Sequence, residues 1–240
     1  MQLAALLKDS SKFAPVMSLA GRTAQPRLPE MAHRIGGFGG VDGLKRYVRE
    51  NAVAAVVDAT HPFAARMSGN AARACADLNV PLAVLTRPAW ERCEGDRWIE
   101  VDDFAAARDA LGTAPRTVLL TIGRQEVGAF RGGVGHRYVV RSVDAVAPEL
   151  LPDGARVLTA RGPFDEDQEI ALMRREGIDA VVSKNAGGGA TYAKIAAARR
   201  LALPVIMIRR PRSASDGEMH DAATVMGWLE ACCGDHAGTS

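Results

Sequence analysis

Three short apolar runs constrain this chain most: VAAVVDA at 53–59, TVLLTI at 117–122 and IDAVVS at 178–183. Continuous apolar stretches of this length suit strands of a parallel sheet that is covered on both faces. Similar segments at 16–20, 81–85, 137–141 and 204–209 extend the set, with the first run entering as a strand over 53–58, the second over 116–122 and the third over 178–183. Helical patterns at 44–50, 64–78, 102–111, 165–176 and 191–201 lie between them. Strand and helix therefore alternate, which predicts an α/β protein built from βαβ units. Pro81 and Pro204 each open a strand just after a helix, where a missing N–H costs little.

A chain of 240 residues is long enough for one large or two small domains. With 48% hydrophobic residues it can bury a core, which excludes disorder. Composition marks GTAPR at 112–116 as the best boundary. The working picture is two Rossmann-like domains with mainly parallel sheets and a cleft between them, over residues 1–113 and 114–240. A single larger doubly wound sheet is the other solution.

No apolar run reaches the length of a membrane-spanning helix, and the start, MQLAALLKDSSK, has neither the basic region nor the cleavage site of a secretory signal. A cytoplasmic protein with no membrane partner is expected. A formal charge of +2 is too balanced to indicate a nucleic-acid partner. Nothing demands more than a monomer. Cys75, Cys93, Cys232 and Cys233 form no CxxC pair, so no structural zinc or other metal is expected.

Ligands of open α/β sheets collect beyond the carboxyl ends of the strands. Four such ends carry polar or small residues: SLAGR at 18–22, DATHPFA at 58–64, TIGRQ at 121–125 and SKNAGGGAT at 183–191. In the last, Lys184 and Asn185 precede three glycines and a helix start. Gly187 and Gly188 would let backbone N–H groups approach an anion. The plainer alternative is a strand-to-helix turn whose glycines serve backbone geometry alone. It is not a Walker A loop, because the lysine precedes the glycines. Thr121, Gly123 and Arg124 repeat the logic with one glycine and a guanidinium suited to carboxylate or phosphate. His61 has the ordinary pKa of a proton-transfer group, although a lone histidine is more often structural. RIGGFGG at 34–40 follows no clear strand and reads as a loop.

Taken in order, SLAGR, RIGGFGG, DATHPFA with the following MSGNA, RPAW, TIGRQ, RGPF, SKNAGGGAT with YAK, and VIMIRRP resemble the precorrin-6A reductase family of corrin-ring biosynthesis. The likeness spans about residues 2–211, and the ordered set is far more specific than any one motif. It implies hydride transfer from NADPH to a carbon of the tetrapyrrole precorrin-6A, with a proton added at the neighbouring carbon. A related branch reduces a cobalt-containing substrate, and the quoted motifs do not separate the two. Members of the family begin with a strand and a GGTxEA-like turn. QLAALL here corresponds to the helix that follows, so roughly fifteen residues of strand and turn are expected to be absent.

The resemblance implies an NADPH-binding domain over 1–113, truncated at its N-terminus, and a second domain over 114–240 that closes over the tetrapyrrole. Ser18 and Arg22, at the end of what would be the second Rossmann strand, become candidates for the cofactor's 2′-phosphate. Ala59, Thr60 and His61 are candidates for its ribose–nicotinamide side. The carboxylate-rich substrate calls for fixed cationic donors. Arg124, Lys184 and Asn185 come first, with Thr121, Gly123, Gly187 and Gly188 beside them. Arg34, Arg66, Arg87 and Arg161 follow, and some of these could contact the cofactor instead. The proton comes from His61 or from bound water. A corrinoid-binding protein without catalysis, or another NADP-dependent reductase on the same fold, are the alternative functions.

Overall fold

The structure is a computed structural model describing residues 2–21, 30–132, 135–211 and 217–233. The chain begins with α1 (Gln2–Lys8), β1 (Met17–Leu19), β2 (His33–Ile35), α2 (Gly40–Glu50), β3 (Val56–Asp58), α3 (Ala65–Leu78) and β4 (Leu82–Leu85). It continues through β5 (Arg97–Val101), α4 (Phe104–Asp109), β6 (Thr117–Thr121), β7 (Arg137–Ser142), β8 (Arg156–Thr159) and α5 (Glu166–Glu176). The last elements are β9 (Ala180–Lys184), α6 (Ala193–Arg200), β10 (Pro204–Ile208), β11 (Glu218–Met219) and α7 (Ala222–Cys233).

Two compact units result. The first joins Met1–Arg87 to Arg212–Ser240, and the second is Pro88–Pro211. The boundary expected between residues 113 and 114 therefore falls inside the second unit. Its cause is strand pairing: β5 runs parallel to β10 over five register pairs, from Pro204↔Arg97 to Ile208↔Val101, which holds residues 97–101 in the later sheet. Conversely, β11 pairs with β4, carrying the end of the chain into the first unit.

In the first unit the strands form two separate parallel sheets, β1-β2 and β11-β4-β3. Leu44 and Val48 of α2 pack on Ala71 and Ala74 of α3, joined by Val56 and Leu82 from the strands. Small alanines on α3 let the two helices approach closely.

The second unit is one six-stranded, all-parallel sheet in the order β5-β10-β9-β6-β7-β8. Its central strands are apolar on both faces, as the continuous runs require. Leu119, Val139, Val181, Val205 and Met207 pack with Ile170 and Met173 of α5, Ile195 of α6, and the two tryptophans Trp90 and Trp98. The alternate residues Val118, Leu120, Val140, Val182 and Ile206 are equally buried. Helix α5 has every terminal signal: Asp165 accepts from the N–H groups of Asp167 and Gln168, acids fill the first turn, arginines the last, and Gly177 ends it at φ +62°.

The seven strands expected from the apolar runs all occur with displaced ends: β3 starts at Val56 and not at residue 53, whereas β7 and β9 run on to Ser142 and Lys184, past their expected ends. Four further strands, β2, β5, β8 and β11, carry no apolar run. β5 and β8 are the two edges of the large sheet, and an edge strand need not be apolar throughout. RWIEV buries only its tryptophan. Helix α7 is also additional to the expected set. Among the described residues, no helix is long and apolar enough to cross a membrane, and no cluster of His, Cys, Asp or Glu is arranged to hold a metal.

Candidate functional site

The sheet order of the second unit puts β6 beside β9, with β7 and β8 to one side and β10 and β5 to the other. Chain order thus reverses between β6 and β9, and such a switch point leaves a crevice beyond the strand ends. TIGR and SKNAGGG are the residues that leave these two strands. Thr121 pairs in register with Ser183, so the two loops start side by side.

The geometry there is specific. Thr121 donates its hydroxyl to the Val182 carbonyl at 3.0 Å, tying the strand ends together. Gly123 turns at φ +90°, and a methyl there would lie 3.6 Å from Lys184 Nζ. Lys184 Nζ stands 3.8 Å from Glu126 Oε2, and Arg124 Nη1 stands 4.0 Å from Asp144 Oδ2. The structure therefore brings Thr121, Gly123, Arg124 and Lys184 to one edge, with two carboxylates holding the cations in loose pairs.

Asn185 plays a different part from the open donor expected. Its Oδ1 accepts from the Trp90 N–H at 2.8 Å and its Nδ2 donates to the Trp90 carbonyl at 2.9 Å. It braces RPAW from within. Gly187, at φ +67°, faces inward too: a Cβ would come within 2.1 Å of the Pro88 carbonyl oxygen. Gly188, at φ +74°, offers its carbonyl to Trp90 Nε1 at 2.8 Å. Arg210 Nε donates to the Asn185 carbonyl at 2.8 Å. RGPF joins the same junction, because Phe164 N–H donates to the Ala190 carbonyl at 3.2 Å. Arg161, at its start, is exposed.

Beneath this junction lies a charged group that the sequence reading did not single out. Lys194 of α6 is 4% exposed, donates to the Thr191 carbonyl at 2.8 Å, and sits 4.7 Å from the centre of the Trp90 ring. Burial, helped by the Arg141 cation, pushes its pKa down to about 7, with Glu169 opposing. The only signal in the sequence was a lysine amid the apolar residues of AKIAAA, which helical periodicity alone would assign to a solvated face.

In the first unit, Ser18 and Arg34 are register partners on β1 and β2. Arg34 donates to Ser18 Oγ at 2.9 Å and to the carbonyls of Gly36 and Gly37, and its guanidinium lies 4.0 Å from the centre of the Phe38 ring. RIGGFGG is thus a strand-end loop after β2, not a free-standing one. Ala59, Thr60 and His61 form the exposed turn after β3. The Thr60 N–H caps Asp58 Oδ1 at 3.0 Å, its hydroxyl meets Ser68 Oγ at 3.3 Å, and His61 Nδ1 accepts from the Phe63 N–H at 3.2 Å. Arg66 and Arg87 are exposed in this unit as well. Arg22 lies outside the described residues.

Parallel sheets with polar, glycine-bearing loops at their carboxyl ends define an α/β protein of the cofactor- and ligand-binding class. The profile of one family, "Precorrin-6x reductase CbiJ/CobK", matches residues 1–230. The chain is 51% identical over 214 residues to a precorrin-6A reductase of Sinorhizobium sp., covering 89% of this chain and 82% of that one. It is 46% identical over 239 residues to the precorrin-6A reductase of Rhodobacter capsulatus, covering 99% and 93%. A cobalt-precorrin-6A reductase of Priestia megaterium is 29% identical over 182 residues, 71% of each chain. A solved structure of CobK precorrin-6A reductase superposes with a TM-score of 0.89 at 46% identity, covering 96% of this chain and 91% of that one. The chain belongs to the precorrin-6x reductase family, oxidoreductases of cobalamin biosynthesis.

Proposed function

We propose that this chain reduces precorrin-6A with NADPH, delivering a hydride to one ring carbon while a proton is added at its neighbour. The metal-free substrate is favoured over the cobalt-containing one, because identity is 46–51% to relatives named for the former and 29% to one named for the latter.

The observation that carries the reading is the switch point at β6 and β9, where Arg124 and Lys184 stand beside a glycine loop. Precorrin-6A bears many acetate and propionate carboxylates, and cations held in loose pairs can exchange their partners for them. Asn185 and Gly187 shape the loop from inside; Arg124, Lys184 and Thr121 face the ligand. Arg161 adds an exposed cation from the neighbouring loop.

The first unit takes the cofactor in this reading. An exposed Ser18 hydroxyl beside the Arg34 guanidinium is chemically suited to the 2′-phosphate that distinguishes NADPH from NADH. Ala59, Thr60 and His61 line the turn after β3, suited to the ribose and nicotinamide. NADPH supplies the hydride; this chain supplies binding, orientation and exclusion of water. No protein nucleophile is required. His61 or a water molecule supplies the proton.

The test is titration with NADPH and NADH, followed by nicotinamide fluorescence, and then anaerobic turnover of precorrin-6A. Selective NADPH binding and loss of NADPH absorbance only when the tetrapyrrole is present are expected. A chain that binds the tetrapyrrole but never oxidises NADPH would be a corrinoid-binding protein instead.

A further inference from the structure

Three loops meet above Lys194. Trp90, from RPAW, donates its indole N–H to the Gly188 carbonyl. Phe164, from RGPF, donates its amide to the Ala190 carbonyl. Lys194 donates to the Thr191 carbonyl from below. Three carbonyls of the segment 188–191 are thereby drawn to fixed donors. A trans peptide directs its N–H opposite its C=O, so these anchors also set the directions of the amides of Gly189, Thr191 and Tyr192. The Tyr192 N–H closes the short turn Gly189–Thr191 onto the Gly189 carbonyl at 3.2 Å.

Lys194 differs from the other two anchors in carrying charge where charge is costly. The groups facing it are Arg141 from β7 and Glu169 from α5, themselves a buried ion pair, with the Arg141 guanidinium 4.0 Å from the centre of the Phe164 ring. The neighbouring Tyr192 hydroxyl is engaged elsewhere, by Arg199 at 2.6 Å. Arg141 and Glu169 cancel, which leaves the Lys194 ammonium as the surplus charge of the cluster. A buried surplus cation is a poor device for stability alone. It makes sense beneath a loop that receives anions.

We propose that Lys194 is a positioning residue for the tetrapyrrole: by holding the Thr191 carbonyl it keeps the glycine loop in its anion-receiving shape, and it does so in its protonated form. This rests on the reductase reading above. Bound carboxylates at the loop favour the ammonium, and the ammonium favours their binding, so substrate affinity and protonation of Lys194 are linked. The loss of that proton falls at about 7, within the working range of pH.

Steady-state kinetics with precorrin-6A and NADPH, at saturating NADPH between pH 6 and 8.5, test this on the full chain. For the unaltered protein, KM for the tetrapyrrole should rise at least several-fold as pH increases through about 7, with kcat changing much less. Lys194→Met should raise KM about tenfold or more at pH 6 and flatten its pH dependence, while Lys194→Arg should retain a low KM at high pH. If neither variant folds, binding of the tetrapyrrole to the unaltered chain at pH 7.5, measured calorimetrically in two buffers of different ionisation enthalpy, should report proton uptake. No uptake, or the same KM and pH profile in Lys194→Met, would overturn the role of Lys194. Failure of the unaltered chain to oxidise NADPH with precorrin-6A would instead overturn the reductase reading, and the lysine's role with it.

Discussion

The Arg34 guanidinium donates to the Ser18 hydroxyl at 2.9 Å across two parallel strands whose residues are register partners. Arg34 is thereby part of the first unit's polar strand end, alongside the residue proposed to meet the cofactor phosphate. Arg34→Ala should weaken NADPH binding roughly tenfold or more, the scale of one charged hydrogen bond, with NADH binding less affected. Fluorescence titration measures both. Equal loss for the two nucleotides would show that Arg34 supports the loop and not the phosphate.

At the switch point, Arg124→Ala and Lys184→Met should each raise KM for precorrin-6A about tenfold or more, with kcat changed less. In the proposed reading the cations act on a distant part of the substrate and not on the reacting carbons. A fall in kcat with KM unchanged would place them at the chemistry instead.

Gly187→Ala should destabilise the chain by about 1–3 kcal/mol or more. The residue sits at φ +67°, and the new methyl would meet the Pro88 carbonyl oxygen at 2.1 Å. Urea denaturation gives the figure. A variant as stable as the unaltered chain would mean that the 88–90 segment yields freely.

Arg141 and Glu169 are both nearly inaccessible. Removing one partner strands the other, so Arg141→Met should cost about 3–5 kcal/mol, and adding Glu169→Leu should recover much of it. Lys194 contributes its own pH signature. It releases its proton at about 7 when folded and only near the ordinary lysine value when unfolded. Between those two values the unfolded chain binds more protons, so stability should rise with pH across that window. Lys194→Met should remove this rise; a persisting rise would assign it to another group.

Much of the fold was legible because its logic is local. TVLLTI and IDAVVS each hold three adjacent apolar residues, VLL and AVV, which puts apolar side chains on both faces of a strand; both are central strands here. RWIEV and RVLT gave no such signal, since they form edges where one side needs no cover. The unit boundary was hidden for the same reason: it depends on which distant strand β5 and β11 join, and pairing partners leave no mark on a short segment. In the site, Lys184 and Arg124 were visible as cations at strand ends. Asn185 looked equally available, but its amide is satisfied by the Trp90 backbone, a contact 95 residues away. Lys194 was hidden because burial depends on Trp90 folding over it.

Hydride transfer from NADPH to the tetrapyrrole is the central claim, and isotope transfer tests it most directly. NADPH deuterated at the transferring C4 position of the nicotinamide would be incubated anaerobically with the chain and precorrin-6A, and the product's mass determined. A single deuterium on the ring of the dihydro product is the expected result. A reduced tetrapyrrole without deuterium, or deuterated NADPH recovered intact beside bound and unreduced precorrin-6A, would contradict it.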